Sequence, residues 1–447
     1  MAICKDNSGL YISYKDPAHK EVSMKKSWKT GFAAAALLLT AAGLSACGRN
    51  DKDDNKLIFQ IWDQGQKAGM EALASAYIAD HPGVEIEVQA LGWDEYWTKL
   101  EATATSNTMP DIFWMHSNQM YKYADAGMLA DCTDLIDPDD YSQNAIDNAK
   151  GSDGRIYGVP KDKDIVTMLY NKDLFDAAGV AYPDDTWTWD DLEAASQAIY
   201  DATGKYGYMA YAHDQIGYWN FVYQNGGRIL TEDGSTPCYT EEATKEAISY
   251  YISLQSNDWC PTQAQFANTG AAELFFSGQG AMYYAGSWDL TNLCKNYPDM
   301  NGRWDVAVLP KCPDPKSGDG RAAISNSVSY ATSATGSDKA LALDFLKFLG
   351  SEEGQRIQGE TGVAIPAYNG LEDTWVGTFA AQGYDLDVEK LIDMFPYSVK
   401  YLTNPSRPAW EPKVEVAVLD IYAGTSTVEE GIENIQEIVE EEIRKAS

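Results

Sequence analysis

Residues 57–114 read LIFQIWDQGQKAGMEALASAYIADHPGVEIEVQALGWDEYWTKLEATATSNTMPDIFW. Leu57–Trp62 is a short apolar strand. Met70, Leu73, Ala74, Tyr77 and Ile78 then recur at helical spacing until His81-Pro82-Gly83 stops them, and Val84, Ile86 and Val88 alternate as a second strand. A further helical stretch through Trp97 and Leu100 leads to Met109-Pro110-Asp111, a turn running into a third strand that ends at Trp114. This β-α-β-α-β order opens an α/β domain with a parallel sheet, whose ligands gather at the carboxyl ends of the strands. Trp62 and Trp114 stand at two of those ends.

Downstream, Ile156–Pro160 and Val166–Tyr170 read as two more strands, joined through Lys161-Asp162-Lys163-Asp164. Thr188 and Asp191 make a capping box, which assigns the flanking Trp187 and Trp189 to structural stapling. Ser337 is expected to cap a helix over 340–349 that Gly350 terminates, and Thr427 with Glu430 to cap a last amphipathic helix. With neither an internal repeat nor a long linker, the pattern predicts two α/β lobes that share several chain crossings.

Upstream, Met24-Lys25-Lys26 begins a basic segment followed by the uncharged run 31–46, which ends in Leu44-Ser45-Ala46-Cys47. The run is shorter than the ~20 apolar residues that span a bilayer and has the order of an export signal. Its end resembles the bacterial lipobox, which predicts diacylglyceryl modification of Cys47. Residues 1–46 are then a leader plus signal peptide with its true start at Met24, and residues 47–56 form a hydrated tether. The expected location is the outer face of the cell membrane of a Gram-positive bacterium, where a lipid must retain a protein that no outer membrane confines.

The chain carries 67 acidic and 34 basic residues, a net charge of −33. That balance disfavours phosphate backbones as partners, while 13 Trp and 28 Tyr suit the flat faces of sugars. Beyond Cys47, the five cysteines Cys132, Cys238, Cys260, Cys294 and Cys312 include no C-x-x-C pair; the pairings Cys238/Cys260 and Cys294/Cys312 stay open. There is no H-E-x-x-H, G-x-S-x-G or P-loop, and the Asp137–Asp140 cluster lacks a calcium loop's glycine. No enzyme activity, cofactor or metal site is expected.

Several segments, in order, carry a resemblance that covers nearly all of the chain after Cys47: Pro110–His116, Leu169–Phe175 with Ala178-Gly179-Val180, Gln224-Asn225-Gly226-Gly227, Gly280–Trp288, and Trp410 before Ile421–Gly424. The chain resembles the sugar-binding lipoproteins of bacterial ABC importers, the family typified by maltose-binding protein. The resemblance implies a Venus-flytrap fold with a hinge of three crossings, lobe 1 being 57–163 with 325–368 and lobe 2 being 164–324 with 369–447. It implies a monomer that captures a neutral sugar or oligosaccharide and delivers it to the membrane-spanning permease. It places Trp114, Trp288 and Trp410 at sugar-stacking positions and Asp162 and Asp164 at the first crossing, as hydroxyl acceptors or as hinge ion-pair partners of Lys161 and Lys163. It adds Trp62, Asp63, Gln64, His116, Asn118 and Trp219 as ligand contacts. Ser117 and Asn118 stand where maltose-binding protein has an acid and an arginine, which argues against maltose. A polyol, glycerol phosphate or polyamine in the same fold is the alternative, and a secreted glycoside hydrolase a more distant one.

Overall fold

A computed structural model describes residues 55–106, 108–336 and 339–446, together with an antiparallel pairing of Lys5–Asp6 with Gly9–Leu10. That pairing belongs to a unit of its own, Met1–Asp51, and the second unit is Lys52–Ser447. The export signal, Cys47, the tether as far as Asp54 and the Ser337 cap lie outside the described residues.

In the second unit, β1 (Lys56–Ile61) pairs in parallel with β2 (Glu85–Ala90) and β3 (Ile112–His116), and the helices Lys67–Asp80 and Trp93–Thr105 are the crossovers. The β-α-β-α-β reading of residues 57–114 therefore holds. Leu57, Phe59 and Ile61 are buried, as are Met70, Leu73, Ala74 and Tyr77 on the inner face of the first helix. The chain continues to β4 (Val159–Pro160), crosses at residues 161–165 and builds a second sheet. That sheet contains β5 (Val166–Asn171), β6 (Tyr206–Tyr208), β7 (Gly280–Gly286) and β8 (Trp304–Ala307), in the order β8-β5-β7-β6. After β9 (Ala323–Ser325) the chain returns, and β10 (Val328–Ala331) inserts antiparallel between β3 and β4, giving β2-β1-β3-β10-β4. β9 pairs in parallel with β11 (Ser398–Lys400). Each sheet has its own apolar core, one around Phe59, Tyr330 and Phe345, the other around Phe221, Tyr284 and Trp304.

Three segments run side by side between the sheets. Lys161 N–H donates to Val328 O at 2.8 Å and Asp164 N–H to Asn326 O at 3.0 Å. Lys163 N–H donates to Ile365 O at 3.1 Å and Ala367 N–H to Lys161 O at 3.3 Å. Two carboxylates lock the first two segments further: Asp162 Oδ1 accepts from Val328 N–H at 2.8 Å and Asp164 Oδ1 from Asn326 N–H at 2.7 Å.

The Thr188/Asp191 capping box forms, and Trp189 stacks on Tyr250 at 4.6 Å while donating to Gln224 Oε1 at 2.8 Å, as a staple should. Gly350 differs from expectation. It is the last residue of the helix Lys339–Gly350 but has no left-handed backbone; a Cβ there would lie 2.5 Å from Val159 Cγ1, so close packing on β4 is what excludes a side chain. Ser351 at once caps the next helix. All five cysteines are free and buried, so neither open pairing is made. Among the described residues, no helix is long and apolar enough to cross a membrane.

Candidate functional site

A cleft of about 950 Å³ lies between the two sheets, walled by the loops after β1, β3 and β7, the helix Trp93–Thr105, the π-turn Asp214–Tyr218 and the helix Arg407–Tyr422. Its position at strand ends is where α/β sheets collect ligands. Trp62, Asp63, Trp114, His116, Asn118 and the hinge aspartates Asp162 and Asp164 line it from one side, Trp219, Trp288 and Trp410 from the other. Gln64 is exposed and outside the lining; Gln66, two residues on, lies within it.

The expected stacking tryptophans divide into two kinds. Trp114, Trp219 and Trp410 are each at most 1% exposed, so their ring faces are already covered. The Lys161 ammonium sits 4.5 Å above Trp114, and the Arg407 guanidinium lies 4.8 Å from the Trp219 ring and 5.3 Å from Trp410. The indole N–H groups of Trp114 and Trp219 are themselves buried and have no acceptor among the described residues. Trp62 and Trp288 are only partly buried. Trp62 is braced edge-to-face by Trp93 at 5.2 Å, Tyr96 at 5.1 Å and Trp114 at 5.0 Å. Trp93, 44% exposed, and Trp97 extend this aromatic wall. On the opposite side the Trp288 ring folds over Gly286, where a Cβ would come within 2.2 Å of it, so only glycine permits the placement. The sequence signal for Trp93 and Trp97 was their i, i+4 spacing in Gly92-Trp93-Asp94-Glu95-Tyr96-Trp97, which puts both on one helix face.

His116 and Asn118 are held in a polar chain that spans the cleft. Asn118 Nδ2 donates to Glu411 Oε2 at 3.2 Å, which turns its Oδ1 toward His116 Nδ1 at 2.8 Å. His116 Nδ1 is therefore the donor, and Nε2 accepts from Asn326 Nδ2 at 2.9 Å. Asn326 Oδ1 in turn accepts from Ser117 Oγ at 2.6 Å. With both ring nitrogens engaged, His116 offers the cleft its ring rather than a polar tip. Burial lowers its pKa to about 4, so the imidazole is neutral in this chain.

The far end of that chain is an arginine that sequence reading passed over. Arg407, fully buried, reaches Asp214 Oδ2 at 2.7 Å, Glu411 Oε1 at 2.7 Å and Leu402 O at 2.5 Å, and also contacts the Tyr401 hydroxyl. The Tyr401 ring lies 4.0 Å from its guanidinium. Burial alone would raise the Asp214 pKa, but the His213 hydrogen bond and the Arg407 charge hold it below the usual carboxylate range. Asp164 moves the other way, raised by burial and by the neighbouring Asp162 charge. Asp162 spends its second oxygen on Lys161 Nζ at 2.6 Å. The hinge ion pair expected as one of its two roles is thus present, and Lys163 pairs instead with Glu372.

Among the described residues no three His, Cys, Asp or Glu side chains converge to hold a metal ion. What the arrangement offers is an aromatic wall facing a second aromatic ring, carboxylates and amides between them, and a bonded hinge beneath. Together these define a two-lobe ligand-binding protein. Residues 72–376 match the family of bacterial extracellular solute-binding proteins, and the chain belongs to that family. It is 27% identical over 334 residues to a lactose-binding protein of Rhizobium radiobacter, covering 72% of this chain and 75% of that one. It is 23% identical over 351 residues to a galactooligosaccharide-binding protein of Bacillus subtilis, covering 76% and 79%. An ABC substrate-binding protein of Listeria monocytogenes, solved in complex with cycloalternan, shares the fold with a TM-score of 0.75 at 23% identity, covering 86% of this chain and 98% of that one.

Proposed function

We propose that this protein is the carbohydrate receptor of an ABC importer, capturing a sugar chain between its lobes and handing it to a membrane-spanning permease. The observation that carries the reading is the pair of partly exposed indoles, Trp62 and Trp288, facing one cleft from opposite lobes. Sugar C–H faces lose water against such rings without losing hydroxyl partners, and each stack adds roughly 1 kcal/mol by analogy with aromatic pairs. A volume of about 950 Å³ is near the top of the usual range for small-molecule sites and accommodates several rings. The curated relatives named for lactose and galactooligosaccharides support the same ligand class.

The lobes, 57–163 with 325–368 and 164–324 with 369–447, close about the three bonded crossings as a monomer. Among the described residues the one lysine or arginine lining the cleft is Lys161, already paired with Asp162, which disfavours a phosphorylated ligand. Export through the Met24–Ala46 signal and a diacylglyceryl anchor on Cys47 would hold the receptor beside its permease on the outer face of a Gram-positive membrane.

A thermal-shift screen against neutral and amino-substituted mono- and oligosaccharides, spermidine and glycerol phosphate tests the ligand class. A ligand that binds only the native state at a hundred times its Kd adds about 2.7 kcal/mol of apparent stability. The expected result is a clear rise in Tm with at least one oligosaccharide. A rise with spermidine or glycerol phosphate and with no carbohydrate would refute the reading.

A further inference from the structure

One corner of the cleft brings two carboxylates near each other with no lysine or arginine of the lining paired to either. Asp63, just past β1, takes hydrogen bonds from Gly65 N–H at 2.7 Å, Gln66 Nε2 at 3.0 Å and, across the cleft, Asn292 Nδ2 at 3.3 Å. The bond to Asp63 fixes the Gln66 amide, so its Oε1 is the free end. That oxygen has no donor, although Gln66 is only 7% exposed and lines the cleft. Asp289 stands one turn before Asn292, lines the same cleft as Asp63 and Gln66, and is within electrostatic reach of Asp63, His213, Tyr211 and Tyr283. Among the described residues neither a hydrogen-bond donor nor a cation is bound to the Asp289 carboxylate. Burial and the Asp63 charge push its pKa up to about 7.

We propose that Asp63, Asp289 and the Gln66 carbonyl oxygen form a subsite for a protonated amine on the bound carbohydrate, so that the ligand contains an amino sugar whose nitrogen is not acylated. The proposal rests on the carbohydrate reading and narrows it. A hydroxyl donates one hydrogen bond and leaves uncompensated the burial and the Asp63 charge that raise the Asp289 pKa. An ammonium supplies three donors for three acceptors and cancels a charge that no lysine or arginine of the lining cancels. Among the described residues, no three or more His, Cys, Asp or Glu side chains gather to hold a metal ion here. Because Asp289 titrates near neutrality, seating an ammonium beside it at pH 6.5 drives its proton out, whereas at pH 8.5 the carboxylate is already ionised and the sugar amine, a weak base largely neutral there, takes up a proton instead.

The test is isothermal titration of the wild-type protein at pH 6.5 and pH 8.5, in buffers of different ionisation enthalpy. The probes are oligosaccharides of glucosamine and of galactosamine, each beside its N-acetylated counterpart. The expected result is that a free amine binds at least about tenfold tighter than its acetylated partner and releases a proton at pH 6.5. In Asp289→Asn, which keeps the shape, both the preference and the release should vanish. Equal or tighter binding of the acetylated or neutral sugars, without proton release, overturns the amine subsite and leaves the carbohydrate reading standing. Binding of spermidine with no carbohydrate overturns both.

Discussion

Arg407→Met is expected to lower unfolding stability by about 3–5 kcal/mol, the cost of removing one partner from a buried ion-pair group. Arg407 is itself fully buried and satisfies Asp214 and Glu411, both largely covered, as well as the Leu402 carbonyl. Methionine fills much of the volume but leaves two carboxylates without their cation. It also removes the plate against which Trp219, Tyr401 and Trp410 pack. Urea unfolding followed by circular dichroism measures the loss. Adding Asp214→Asn to the same chain should recover part of it, because one of the stranded charges is then gone; a further loss instead would show that Asp214 matters for shape rather than charge.

Trp114→Ala should cost a similar amount, about 3–5 kcal/mol, as large-to-small changes of buried aromatics do. Trp114 lies in β3 at the centre of the first sheet, is 1% exposed, and carries Trp62 against its edge and Lys161 over its face. The resemblance assigned it to sugar stacking on equal terms with Trp288. The structure makes them unlike: Trp114→Ala should depress Tm strongly even without ligand, while Trp288→Ala, at a partly exposed ring, should leave Tm nearly unchanged. Calorimetry of the two variants without sugar distinguishes them. Equal melting temperatures would mean that the Trp114 ring does not belong to the core.

The contrast shows what can be read from the chain and what cannot. The period-two and period-3.6 patterns of residues 57–114 specify β1 to β3 because they record burial that each element makes locally. Hinge segment 161–164 was visible as a polar break between two strands. The partners of Asp162 and Asp164, the backbone N–H groups of Val328 and Asn326, were not, since they come from a return crossing more than a hundred residues away. The same holds for the tryptophans. Whether an indole face is free depends on cations at Lys161 and Arg407 that nothing near Trp114 or Trp219 announces. Asp289 adjoins the Gly-Ser-Trp motif and was still missed, because its neighbour Asp63 belongs to the other lobe. Gln64 and Gln66 show the limit in miniature: one short 3-10 turn, Gln64–Gln66, leaves the first exposed and places the second in the lining.

The most direct test of capture between the lobes is isothermal titration of an oligosaccharide selected by thermal shift against the wild-type protein and the Trp62→Ala/Trp288→Ala double variant. The two rings face the cleft from opposite lobes, and roughly 1 kcal/mol for each stack amounts to a weakening of about thirtyfold. That loss is expected in a variant that still unfolds cooperatively. An unchanged Kd would contradict it, because the sugar would then bind somewhere other than between Trp62 and Trp288.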